Sequence, residues 1–293
     1  METNIKPPDG VTSRHVRIEN ALAGRSLYGD DFCATEIEQW FVDEREGYFN
    51  LYFRDAAKES PQEPIYTYAA VAAQHGYRWL EKRQYTHALG IGSAHGAELQ
   101  PVLDRSARVT VLEPSDGFAA TQINGKPVAY IKPQSSGLMP FADSSFDLII
   151  CFSVLHHIPN VSTVLREIQR VLAPGGHALL REPTHSMGDW RISRRGLTKN
   201  ERGIPLPIFR SMLDSIGLKI IRETRCMFSV IPRLEPLYRA WNPSLDVRCG
   251  PFHRSYGPTL GYVGCQSGRT VTTPRDSGKS FDPPASPMFW RIH

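Results

Sequence analysis

Two adjacent histidines, His156 and His157, follow closely on a short apolar run, Leu148-Ile149-Ile150-Cys151-Phe152. An imidazole changes charge near neutral pH, so a histidine at the rim of a cleft can take a proton from a reacting group. The apolar run is too short for a helix and rich in β-branched side chains, which predicts a parallel strand covered on both faces. Ligands in open α/β sheets bind beyond the carboxyl ends of the strands, and Ser153, His156 and His157 fall there. A histidine at this place serves equally well by bonding the backbone and holding the strand end.

A second constellation precedes it. His87-Ala88-Leu89-Gly90-Ile91-Gly92-Ser93-Ala94-His95-Gly96 predicts a strand running into a glycine turn, with Ala97 to Leu103 opening a helix. The spacing is GxGxxxG rather than the GxGxxG of dinucleotide binders. Such a turn alone is as often a tight connection with no ligand. Val109-Thr110-Val111-Leu112-Glu113 adds a second strand ending in a carboxylate, about 20 residues past Gly92. A carboxylate so placed accepts hydrogen bonds from ribose hydroxyls, while the turn admits the ligand to the backbone and helix N–H groups face its carboxylate.

The elements that position these groups follow from periodicity. From Val161, apolar residues recur at Val164, Leu165, Ile168, Val171 and Leu172, which predicts an amphipathic helix stopped by Pro174-Gly175-Gly176. Ala178-Leu179-Leu180 then starts another strand, so the stretch is a βαβ unit. Pro205 to Ile216 predicts a helix ended at Gly217, and Leu218 to Ile221 a strand.

Taken whole, PFxDxxFDLII…LHHI…REIxRVLxPGG, within residues 139–181, resembles the second half of a class I S-adenosylmethionine-dependent methyltransferase of the type 11 kind. The resemblance covers about Tyr85 to Phe228. It implies a Rossmann-like, doubly wound α/β sheet of about seven strands in the order 3-2-1-4-5-7-6, the last antiparallel, with S-adenosylmethionine as cofactor and no metal. Cofactor contacts are then expected from Gly90, Gly92, Ser93, Ala94, Gly96, Glu113, Ser136, Met139, Phe152 and Ser153. By the LHHI match His157, more than His156, faces the acceptor as general base, with His185 as a second catalytic candidate. The family usually reads D/E-x-G-x-G-x-G. Here Gly90 holds the place of the acid that helps bind the cofactor's amino group, and Ala94 that of the middle glycine. Ser135-Ser136-Gly137 stands where an Asp commonly reaches the adenine. Tyr48, from a helical N-terminal region, is expected as a lid, because aromatic faces stabilise a sulfonium cation.

The segment after Arg181-Glu182-Pro183 interleaves His185, Trp190, Arg191, Arg194 and Arg195 and predicts a substrate-facing loop, its arginines suiting an anionic or hydroxyl-rich acceptor. Domain boundaries read as a flexible leader over 1–27, a helical cap over 28–82, a core over 83–231, an irregular insertion over 232–286 and a final core strand over 287–293. The 293 residues carry a formal net charge of +4, too mild to argue for nucleic acid. No apolar stretch predicts a membrane span, and five scattered cysteines without CxxC spacing predict reduced thiols and a cytoplasmic protein. The expected partner is a small-molecule or glycan-type acceptor, met by a monomer or homodimer, with O-methylation favoured. The alternatives are a non-catalytic binding or assembly module on the same fold, or an RNA methyltransferase.

Overall fold

The computed structural model describes residues 14–56, 68–184, 190–194, 197–227 and 259–267. Seven strands form one sheet: β1 (Tyr85–Ile91), β2 (Ser106–Leu112), β3 (Ala129–Ile131), β4 (Phe146–Phe152), β5 (Leu172–Pro183), β6 (Leu218–Met227) and β7 (Thr259–Ser267). Their order is β3-β2-β1-β4-β5-β7-β6. The pairings among β1 to β5 are parallel, and β7 runs antiparallel to β5 and to β6. A two-stranded ribbon, Gln122–Ile123 against Lys126–Pro127, lies outside the sheet.

The apolar run around Ile149 is central and nearly water-free because both faces are covered. Helix α5 (Val161–Val171) turns Val161, Val164, Leu165, Ile168 and Val171 onto one face, beside Phe209 and Leu213 of α6 (Leu206–Ser215). On the other face Tyr77, Leu80, Leu99, Val102 and Leu103 pack against Ala88, Val111 and Ile150. Each such aliphatic side chain contributes roughly 1.5–3 kcal/mol through burial, which fixes the strand ends that carry the polar groups.

Three expectations are corrected. The strand between β5 and β6 is β7 at 259–267, inside the stretch expected to be an irregular insertion over 232–286; the terminal run Met288–Ile292 lies outside the described residues. Gly261 and Gly264 interrupt the apolar pattern of this strand, and its place is set by main-chain pairing on both sides, from Pro183↔Leu260 to His177↔Gln266 and from Met227↔Thr259 to Leu218↔Ser267. The leader expected over 1–27 contains helix α1 (Arg14–Leu22), whose buried Arg17 donates to both carboxylate oxygens of Glu36 at 2.8 and 3.0 Å. Finally, Pro174-Gly175-Gly176 does not separate α5 from the next strand. The helix ends at Val171 and β5 begins at Leu172, paired with Phe146; the Pro-Gly-Gly segment is an irregularity within β5 before pairing resumes at Leu148↔His177.

Of the N-terminal helices α2 (Ala34–Ala56) and α3 (Ala69–His75), α3 packs against β6, where Thr224 Oγ1 donates to the His75 carbonyl at 3.0 Å. Trp40 of α2 donates its indole N–H to the carbonyl of His157 at 2.7 Å. Buried Arg202 donates to the carbonyls of Tyr28, His156, Ile158 and Pro159. Those two side chains tie the cap to the 3₁₀ turn Leu155–His157 that follows β4.

Candidate active site

The glycine turn leaves β1 at Ile91 and enters a short 3₁₀ turn at Ala97–Leu99, continued by the one-turn helix α4 (Gln100–Leu103). Gly92 and Gly96 have φ of +62° and +75°, and a Cβ on them would come within 2.6 Å of Val154 Cγ2 and 2.1 Å of Ile123 Cδ1. Only glycine satisfies both the angle and the space. Ala94 also lies at positive φ, 44°; its N–H donates to Glu113 Oε2 at 3.1 Å and its carbonyl accepts from the Tyr130 hydroxyl at 2.9 Å. Glu113, just past β2, takes a second hydrogen bond from the Ser115 N–H at 3.0 Å. Burial raises its pKa against those two donors.

On the adjacent strand ends, Ser93 Oγ donates to Glu98 Oε1 at 2.6 Å, and Arg181 Nε donates to Ser153 Oγ at 3.1 Å. Ser153 sits at φ +57°. The Arg181 guanidinium stacks over the rings of Tyr68 and Phe152, at 4.5 and 4.7 Å. Glu182 is fully buried and accepts from the N–H groups of Val154, Leu155 and His156 and from His156 Nδ1. Arg181 and Glu182 are thus buried strand residues at the floor of the site.

His157 projects beside this floor. Its Nδ1 lies 2.8 Å from Glu44 Oε2, with Thr198 Oγ1 also bonded to Glu44 and, at 2.9 Å, to Glu201. The Asn200 N–H completes the Glu44 carboxylate at 2.7 Å. Burial works against charge on both partners, yet the hydrogen bond from His157, its charge, Thr198 and Asn200 hold the Glu44 carboxyl below its ordinary range. On His157 the same burial is outweighed by Glu44, Glu201 and Glu182, and its pKa rises. His156 moves the other way, lowered by burial and by the charge of His157 against the pull of Glu182. Donor atoms of His156, His157 and Glu201 lie within 4.8 Å of one another. Hydrogen bonds already engage each of these groups, Glu201 through the N–H and hydroxyl of Thr198.

Tyr48, partly exposed on α2, meets His157 edge to face at 5.7 Å and Phe118 at 6.0 Å, and His95 meets Phe118 at 5.0 Å. An aromatic rim from three elements therefore stands around the glycine turn and His157. Other expected residues are placed elsewhere. Ser136 and Met139 are fastened to α5 and its N-terminus: the Ser136 carbonyl accepts from Asn160, and the Met139 N–H donates to Glu167 at 2.8 Å. Trp190 packs against Tyr28 at 5.2 Å, Arg191 is exposed, and Arg194 reaches the Thr198 carbonyl at 3.5 Å. His185 and Arg195 lie outside the described residues. Glu44, Glu98, Thr198 and Glu201 escaped the sequence reading. The signal for Glu44 was faint, an acidic residue one helical turn before Tyr48.

Residues 89–180 match the family model described as a methyltransferase domain. Over that span the chain is similar to class I S-adenosylmethionine-dependent methyltransferases. The matched span runs from β1 through β5 and so contains the glycine turn, Glu113 and the histidine pair. The chain is 34% identical over 105 residues to the sterol 4-C-methyltransferase strm-1 of Caenorhabditis elegans, covering 33% of this chain and 31% of that protein. It is 28% identical over 204 residues to the fatty-acid O-methyltransferase of Mycolicibacterium smegmatis, covering 66% and 67%. The chain thus spans about a third of the first relative and about two thirds of the second. Among solved structures, a chain from the complex of the Haloferax volcanii Trm112 methyltransferase activator with a methyltransferase shares the fold, with a TM-score of 0.56 at 14% identity over 77% of this chain and 98% of that one. S-adenosylmethionine is the cofactor of such a domain. The residues present suit it: glycine leaves the turn open to a ligand, and Glu98, Glu113 and Glu182 outnumber Arg181 where a cationic ligand would lie. No described helix is long and apolar enough to cross a membrane.

Proposed function

We propose that this chain methylates a hydroxyl group of a small polar acceptor, of glycan or natural-product type, with His157 as general base. The cofactor, when bound, supplies an electrophilic methyl group on a sulfonium. Gly92, Ala94 and Gly96 give it backbone contact, and Glu113, with lone pairs left beyond its two backbone bonds, takes the ribose hydroxyls. Phe152 and Ser153 line the floor, and Tyr48 covers the cleft.

The observation that carries the reading is the 2.8 Å contact between His157 Nδ1 and Glu44 at the carboxyl end of β4. With Nδ1 donating to Glu44, Nε2 is the nitrogen that receives the acceptor's proton as its oxygen attacks. Glu44 stabilises the imidazolium so formed. A hydroxyl needs this help because its proton is held tightly until the new bond forms.

The test is turnover of labelled S-adenosylmethionine with a panel of hydroxylated sugars and phenolic natural products, comparing the wild type with His157→Ala. General-base loss is expected to lower kcat by about 10²-fold or more with cofactor affinity retained. Undiminished turnover by His157→Ala across pH overturns the assignment.

A further inference from the structure

Glu98 is a buried carboxylate, and among the described residues the one hydrogen bond to it comes from Ser93. Its charged neighbours are Arg181, Glu113 and Glu182. Arg181 is the single cation among them and is already engaged with Ser153 and two aromatic rings. The balance favours a further positive group.

Gly90, in β1, lies against Ser93. A Cβ built on Gly90 falls 2.5 Å from Ser93 Oγ and 2.8 Å from Leu99 Cδ1. The space a side chain at position 90 would enter is filled by Ser93 Oγ and Leu99, so an acid at 90 would displace the serine hydroxyl that holds Glu98. The chain carries its acid eight positions on, in the 3₁₀ turn Ala97–Leu99, and Ser93 turns it back toward the end of β1. Tyr77 steadies that turn by donating its hydroxyl to the Glu98 carbonyl at 2.5 Å.

We propose that Glu98, acting with Ser93, anchors the ammonium group at the amino-acid end of S-adenosylmethionine. This rests on the cofactor reading above. Burial lifts the Glu98 carboxyl to about 7, against Ser93 and Arg181 and helped by Glu113 and Glu182, so part of the population is protonated at neutral pH. When the cation arrives the acid O–H bond breaks, its proton leaves to buffer, and the carboxylate pairs with the ammonium.

Calorimetric titration of the full chain tests this with S-adenosylhomocysteine and with 5′-methylthioadenosine, which lacks the amino-acid end. Glu98→Gln keeps the volume and the Ser93 contact while removing the charge. The expected result is a loss of about tenfold or more for S-adenosylhomocysteine, with methylthioadenosine changed by less than about twofold. For the wild type at pH 7 the binding heat should also vary with the ionisation enthalpy of the buffer, showing proton release that Glu98→Gln lacks. Equal losses for both ligands, no loss for either, or buffer-independent wild-type heats overturn the role of Glu98. Failure of the wild type to bind either ligand overturns the cofactor reading itself. Should the variant not fold, the wild-type buffer series decides alone.

Discussion

Glu44 of α2 and His157 beyond β4, 113 residues apart in sequence, meet at 2.8 Å with opposed pKa shifts, the carboxyl lowered and the imidazole raised. The contact joins the N-terminal cap to the strand-end histidine. It brings the cap into the chemistry proposed for His157.

Replacing Glu44 by Gln should lower the His157 pKa, because the hydrogen bond to a charged acceptor and its charge are what overcome burial. The acid limb of the kcat/KM profile is expected to move to lower pH, and the maximum to fall by about tenfold, within what a general base supplies. A pH profile superimposable on the wild type removes Glu44 from any positioning role.

The same pair sets a pH dependence of stability. His157 is raised in the folded state, so its contribution is full below its unfolded pKa of about 6.5 and is lost as pH rises through the folded value. Glu44 is lowered, so its contribution is present above its unfolded pKa and is lost as pH falls through the folded value. Denaturant unfolding of His157→Ala should therefore show a larger deficit at pH 6 than at pH 9. A deficit independent of pH contradicts the ion pair.

Gly96→Ala puts a methyl group at φ +75° and against Ile123. Strain of about 1–3 kcal/mol is expected, read as a lower denaturation midpoint together with weakened cofactor binding. An unchanged midpoint means the turn relaxes freely.

Arg202→Met should be the costliest of these changes, about 3 kcal/mol or more, since it orphans the buried carbonyls to which Arg202 donates around the histidine turn. Thermal unfolding measures it. A loss below about 1 kcal/mol would show that water replaces the guanidinium.

The sheet was legible because parallel strands buried on both faces write themselves as apolar runs: Leu148 to Phe152 and Val109 to Leu112 fall inside β4 and β2. The glycine turn and Glu113 were legible because positive φ and a strand-end acid restrict residue type. β7 was not, since Gly261 and Gly264 weaken its pattern and its partners are chosen by main-chain pairing with distant strands. The partners of His157 were hidden for a related reason. Thr198 and Glu201 stand three residues apart, but nothing in the sequence relates them to Glu44 or His157, which they meet only when α2 and the segment after β5 close over the histidine turn. Nothing in the sequence sets Arg202 apart from the other arginines after β5, and only folding reveals it as a buried clamp on carbonyls.

The central claim is that this fold holds S-adenosylmethionine at the glycine turn beside His157. Scanning calorimetry of the full chain with S-adenosylhomocysteine tests it most directly. At a hundred times the dissociation constant, specific binding stabilises the folded state by about 2.7 kcal/mol, so the unfolding temperature should climb steadily with ligand and the climb should be blunted in Gly96→Ala and Glu113→Ala. An unfolding temperature that stays put at millimolar ligand would contradict the account.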